Sequence, residues 1–160
     1  MNARTWLAAS TLAVLALTGC ATSPKPTNLA ETAAAKPELS TFTKLVNEAG
    51  IADTLSGPGP YTVFAPTDEA FKSLPPATLA KLSGDKTLLK SVLNYHVLQS
   101  KMVAAEVKNG PVKTLQGANL AVSKSGDFVT VEDAVVTQAD VPATNGVVHV
   151  IDRVLMPPLK

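Results

Sequence analysis

One cysteine in 160 residues decides early what this chain can be. Cys20 has no partner, so neither a disulfide framework nor a cysteine metal site can stand in for a core. The fold must rest on burying apolar surface, and at 46% hydrophobic and 17% charged residues the chain has the material for it. That balance excludes a disordered chain, and the length predicts one domain of ordinary size. Fourteen Lys and Arg against thirteen Asp and Glu leave a net charge of +1, which provides no broad basic field for nucleic acid. Aromatic residues, at 4%, are too few for a stacking platform.

Residues 1–20 read MNARTWLAASTLAVLALTGC. Arg4 precedes an apolar run from Trp6 to Leu17, short of the roughly 20 residues a membrane helix needs but suited to a signal-peptide h-region. Leu17-Thr18-Gly19-Cys20 resembles the lipobox of bacterial lipoproteins, where the peptide is cut before the cysteine and the thiol is lipidated. The resemblance implies a signal peptide over 1–19 and membrane attachment through lipid on Cys20. A cut nearby would instead leave a free thiol. Ala21 in place of Asp implies, by resemblance to Gram-negative lipoproteins, the outer membrane. Taking Arg4 from the 14 basic residues leaves 13 against 13 acidic ones, so the mature chain has no electrostatic appeal to anionic surfaces.

Residues 20–37 carry Pro24, Pro26 and Pro37 among small polar residues and read as a flexible tether. The domain is expected over 38–158. Leu39, Phe42, Leu45, Val46 and Ala49 recur at helical spacing, with Gly50 as the stop. Tyr61–Ala65 reads as a buried strand, after which Thr67 or Asp68 caps a helix. Pro75-Pro76 opens another helix, and Asp85 caps a third whose stripe runs to His96. The second half reads as strands: a hairpin turning at Ser125-Gly126-Asp127, then Val135–Gln138, then Val147–Leu155 after an Asn145-Gly146 turn expected to use positive φ. Helices first and strands later indicate an α+β fold.

Three segments resemble the fasciclin-domain family. Thr62–Phe71 (TVFAPTDEAF) is similar to its first signature, Asn94–Leu98 (NYHVL) to its Tyr-His motif, and Asn145–Pro157 (NGVVHVIDRVLMP) to its closing segment. Their order and spacing also match. The resemblance implies a fasciclin fold, a twisted β-wedge with helices packed on one side. It also implies an extracellular or envelope location and a role in adhesion or binding at surfaces. The signature positions are Thr67, Asp68, Tyr95, His96, Asn145, Gly146, His149 and Asp152. From animal members it implies possible binding positions at Tyr95, His96, Leu98, Asp140 and Val141, though Val stands where Ile is usual and no Arg-Gly-Asp is present.

In Val147–Leu155 the odd positions place His149 with Val147 and Ile151 on the expected core face. A buried imidazole needs partners, and Asp68, Thr67 or nearby backbone are the expected ones. Asp68, His96 and His149 then read as structural pins. As a facial metal triad they would lie 28 and 53 residues apart, a spacing that neither supports nor forbids a site. No metal and no cofactor are expected. No Gly-x-Ser-x-Gly elbow, phosphate loop or His-Glu-x-x-His occurs, and lipid would consume the cysteine, so no enzyme is expected. The reading is a monomeric, lipid-anchored envelope domain, facing the periplasm or the surface, that meets a protein or matrix partner. The alternative is a periplasm-facing module for a small apolar ligand or another envelope protein, which would need a deep apolar pocket.

Overall fold

The computed structural model describes residues 27–158. Six helices, α1 (Leu29–Ala34), α2 (Ser40–Glu48), α3 (Ala52–Ser56), α4 (Asp68–Lys72), α5 (Pro76–Gly84) and α6 (Lys86–Tyr95), lie mainly in the first half. The strands are β1 (Tyr61–Pro66), β2 (Val97–Leu98), β3 (Gly110–Lys113), β4 (Asn119–Ser125), β5 (Phe128–Val131), β6 (Ala134–Ala143) and β7 (Gly146–Ile151). They form one sheet in the order β2-β1-β7-β6-β5-β4-β3. The fold is the expected α+β one, and the helix caps follow the sequence. Thr67 accepts from the Ala70 amide at the start of α4, and Asp85 from Thr87 and Leu88 at the start of α6.

At the centre, β1 and β7 run parallel, pairing Tyr61 with Gly146 through to Pro66 with Ile151. All six residues of β7 are buried. Val63, Ala65, Val148 and Val150 meet Phe42, Leu89 and Leu93 of the helical layer. Phe64 and Ile151 belong instead to a second core with Leu98, Leu120, Val122 and Val131. The expectation of one core face on β7 is thus corrected: a strand covered on both sides is apolar at odd and even positions alike. The sheet also curls until its edges meet, through a bridge between Leu98 and Thr114 and a 2.7 Å bond from the Leu115 amide to the Val97 carbonyl.

Two strand lengths differ from the sequence reading. β6 runs on past Gln138 to Ala143 because two register irregularities absorb its polar middle. β7 stops at Ile151 rather than Leu155, because the Asp152 carboxylate turns back to accept the Val135 amide at 2.7 Å.

The Asn145-Gly146 turn works differently from expectation. Positive φ occurs at Glu132, Asp140, Gly50, Gly110, Gly117 and Gly126, and neither Asn145 nor Gly146 is among them. Asn145 is a tie: its Oδ1 accepts the Leu29 amide at 2.9 Å, and its Nδ2 donates to the Leu55 and Gly57 carbonyls at 2.6 and 2.8 Å. Gly146 is required for space. A Cβ there would sit 1.9 Å from the Tyr61 carbonyl oxygen, and one on Gly59 would sit 1.9 Å from the Asn145 oxygen.

Of the tether expected over 20–37, residues 28–37 instead form part of the folded domain; residues 20–26, with the signal peptide and Cys20, lie outside the described residues. Asn28 caps α1 by accepting the Glu31 amide, and Leu29, 1% exposed, enters the helical core. A six-residue helix builds no core, yet it needs only to cover one made by residues far along the chain. Asn145→Ala is expected to cost about 3 kcal/mol by stranding one donor and two acceptors. Gly146→Ala should cost at least about 3 kcal/mol through overpacking. Urea unfolding of both variants beside the parent checks the two figures.

Candidate functional site

The three residues read as pins are each fully engaged, but not with one another. Asp68, at the start of α4, reaches across to the open end of α2. Its Oδ2 accepts from the Ser40 hydroxyl at 2.6 Å and its Oδ1 from the Thr41 amide at 2.8 Å, satisfying groups a helix start leaves orphaned. Burial alone would raise its pKa, but these bonds and the Lys72 charge hold it below the usual carboxylate value.

His96 ends α6 and is fully buried. Its Nδ1 donates to the Val92 carbonyl at 2.7 Å, and its Nε2 accepts the Leu155 amide at 3.0 Å. An N–H donating to Nε2 requires that nitrogen to be bare, so the ring is neutral with its proton on Nδ1. Burial pushes it down to about 4, against the opposing pull of the Val92 carbonyl.

His149, in the middle of β7, takes the opposite tautomer. Its Nδ1 accepts the Asp140 amide at 3.2 Å and its Nε2 donates to the Met102 carbonyl at 2.7 Å. Its ring stacks on Phe64 with centroids 5.5 Å apart. Burial lowers its pKa, more than the Met102 carbonyl and the Asp140 charge raise it. The partners expected for it, Asp68 and Thr67, lie elsewhere: Thr67 donates its amide to the Ile151 carbonyl and caps α4. Among the described residues no cluster of three or more His, Cys, Asp or Glu could hold a metal ion.

The possible binding positions divide in two. Tyr95, His96 and Leu98 are 2%, 0% and 0% exposed, so their side chains are not offered to a partner. The Tyr95 hydroxyl lies 3.2 Å from both the Asn119 carbonyl and Glu132 Oε1 and donates to that pair. Burial, with the charge and hydrogen bond of Glu132, raises its pKa to about 12. Asp140 is exposed and Val141 half-buried, both on β6. Asp140 has φ 56, and its Oδ1 accepts the Ala104 amide at 2.7 Å.

Sequence reasoning missed Thr62. Wholly buried on β1, its hydroxyl donates to the Ser100 carbonyl at 2.6 Å and accepts the Met102 amide at 2.8 Å. It therefore shares with His149 the task of holding the segment after β2. A buried threonine reads as an ordinary β-branched strand residue, and nothing local marks its partners.

A groove of about 260 Å³ runs between α1, α2 and α3, with Phe42, Val46 and Leu55 along its floor. It is below the roughly 300–1,000 Å³ of ordinary ligand pockets, which weighs against a deep apolar site there. A cleft of about 530 Å³ beside Ser73, Asp152 and Arg153 is polar.

The profile of the family described as "Fasciclin domain" matches residues 37–157. The chain is 42% identical over 133 residues to protein sll1483 of Synechocystis, covering 82% of this chain and 74% of that one. It is also 42% identical over 135 residues to the cell surface glycolipoprotein MPB83 of Mycobacterium bovis, covering 81% of this chain and 60% of the relative. Among solved structures it resembles a FAS1 domain pair from the insect cell adhesion molecule fasciclin I, with a TM-score of 0.61 and 26% identity. That match covers 74% of this chain and 45% of the pair.

His96 makes stability depend on pH with a definite sign. Its folded pKa lies below the ordinary 6.5, so the unfolded chain binds the proton more readily. Stability is full above about pH 6.5 and falls as pH drops toward about 4, by about 3 kcal/mol from this residue. His149 adds slope of the same sign. His96→Gln should be less stable near neutrality and lose most of that slope, as urea unfolding across this pH range would read.

Proposed function

The chain belongs to the fasciclin domain family, and from that premise we propose that it is a non-enzymatic, lipid-anchored envelope protein mediating adhesion or surface and matrix binding. The observation that carries the reading is the whole-domain likeness to the FAS1 pair of an insect cell adhesion molecule. A cell surface glycolipoprotein among the relatives supports the location. The lipobox-like Leu17–Cys20 supports the anchor. No helix among the described residues is long and apolar enough to cross a membrane.

The site's geometry fits a binding module better than a catalyst. Both histidines spend both ring nitrogens on backbone groups, which leaves neither a lone pair nor a proton for a substrate. A partner would meet the exposed stretch of β6 at Asp140, with Val141 half-buried beside it, rather than the Tyr-His segment, which is core. One domain presents one modest surface, and many copies anchored in a membrane would multiply its strength through effective concentration.

Two measurements test the reading. Cys20→Ser is expected to abolish incorporation of labelled fatty acid and to move the protein out of the membrane fraction; unchanged fractionation would remove the anchor. Protease added to intact cells is expected to digest the domain. Protection until lysis would place it inside the envelope and end the case for direct adhesion.

A further inference from the structure

Three elements converge on His149 in a way that the fold alone does not require. From β7 its ring reaches under the segment that follows β2 and holds the Met102 carbonyl. On its other side it accepts the amide of Asp140, which lies within the second register irregularity of β6, between Gln138 and Val141, with φ 56, a conformation that side chains other than glycine adopt seldom. Asp140 in turn uses its carboxylate to accept the amide of Ala104, the first residue of the short 3-10 turn Ala104–Glu106. The turn, the irregular stretch of β6 and the imidazole thus form one chain of bonds that closes only while Nδ1 is bare.

We propose that His149 is an acid-operated latch, holding the Ala104–Glu106 turn against Asp140 and letting it go when the ring takes a proton. The proton comes from solvent and settles on Nδ1, the ring nitrogen that carries none. Nδ1 then becomes a donor facing a donor, the Asp140 amide, and that bond is lost. The new imidazolium N–H competes for the nearest acceptor of opposite charge, the Asp140 carboxylate, which the Ala104 amide occupies. As the carboxylate turns inward the turn is freed, and the left-handed backbone at Asp140 can relax.

The groups facing the ring are the Phe64 side chain from β1, the Met102 carbonyl from the loop, and Asp140 from β6. Asp140 is the charged one among them, while Lys101 and Glu106 on the loop are exposed. The opening is local. Ser100 and Met102 stay tied to the Thr62 hydroxyl, which does not titrate, so the release begins after Met102. This device goes beyond the adhesive reading and stands without it, although it would alter the same exposed stretch of β6.

Hydrogen–deuterium exchange of the full-length chain, resolved to single amides and corrected for intrinsic pH dependence, tests the latch. As the pH falls below the ordinary histidine range, protection at Ala104, Glu106 and Asp140 is expected to fall about tenfold per pH unit to levels well below those of Met102 and of the β1 and β7 amides, whose own decline follows the loss of global stability. Asp140→Asn keeps an acceptor for Ala104 and tolerates the positive φ but removes the charge, so the loss should move to lower pH. His149→Gln should show no such loss. Protection at Ala104, Glu106 and Asp140 equal to that of the β1 and β7 amides across the range, or no fall at these three amides, would overturn the latch. So would the same fall in His149→Gln. Should that variant not fold, the pattern of amides in the parent and the shift in Asp140→Asn decide the question.

Discussion

The parallel pairing of β1 with β7 is the constraint on which everything else in this domain depends. Strands 85 residues apart at their first paired positions, Tyr61 and Gly146, must be brought side by side with both faces covered. No tight turn can join parallel neighbours, so the whole intervening chain becomes the crossover. Five of its elements then extend the sheet on either side, and α6 returns across it. Burial on both faces is what separates the two cores, helices on one side and curled sheet on the other. The approach at the start of the pair is so close that Gly59 and Gly146 have no room for a side chain, and Asn145 gathers α1 and the end of α3 onto the same point.

Around this pair several polar side chains hold irregular segments or an open helix start. Thr62 and His149, one on each central strand, secure the stretch after β2. His96 secures the chain after β7 through the Leu155 amide, and Asp68 secures the start of α2. Irregular backbone cannot satisfy itself, so a buried loop needs side chains that can. The two imidazoles do this in opposite tautomers, each fixed by an incoming amide. Asp68, His96 and His149 are thus fastened into the scaffold through backbone groups and a hydroxyl.

Much of the scaffold was legible in the sequence because its signals are local. Thr67 and Asp85 as caps, Gly50 as a stop and the hairpin at Gly126 each depend on neighbours a few residues away. The resemblance of three segments likewise led to the fold. What could not be read was long-range. Helix α1 looks like tether because its burial depends on Asn145 and Gly146, more than a hundred residues later. The partners of His149 come from Met102 and from an irregular strand whose polar stretch Gln138–Asp140 hides its continuity. Asn145-Gly146 carries a common turn signal, yet here those residue types are needed for hydrogen bonding and close approach.

Native-state hydrogen exchange as a function of denaturant tests most directly whether the β1–β7 pair is the foundation. Amides within β1 and β7 are expected to exchange only through global unfolding, with an opening free energy equal to that of the whole domain, while those of α1, α5 and β3 open earlier. If α2 or α6 kept its amides protected after β1 and β7 had begun to exchange, the helical layer would be the true base of the fold and the central claim would fail.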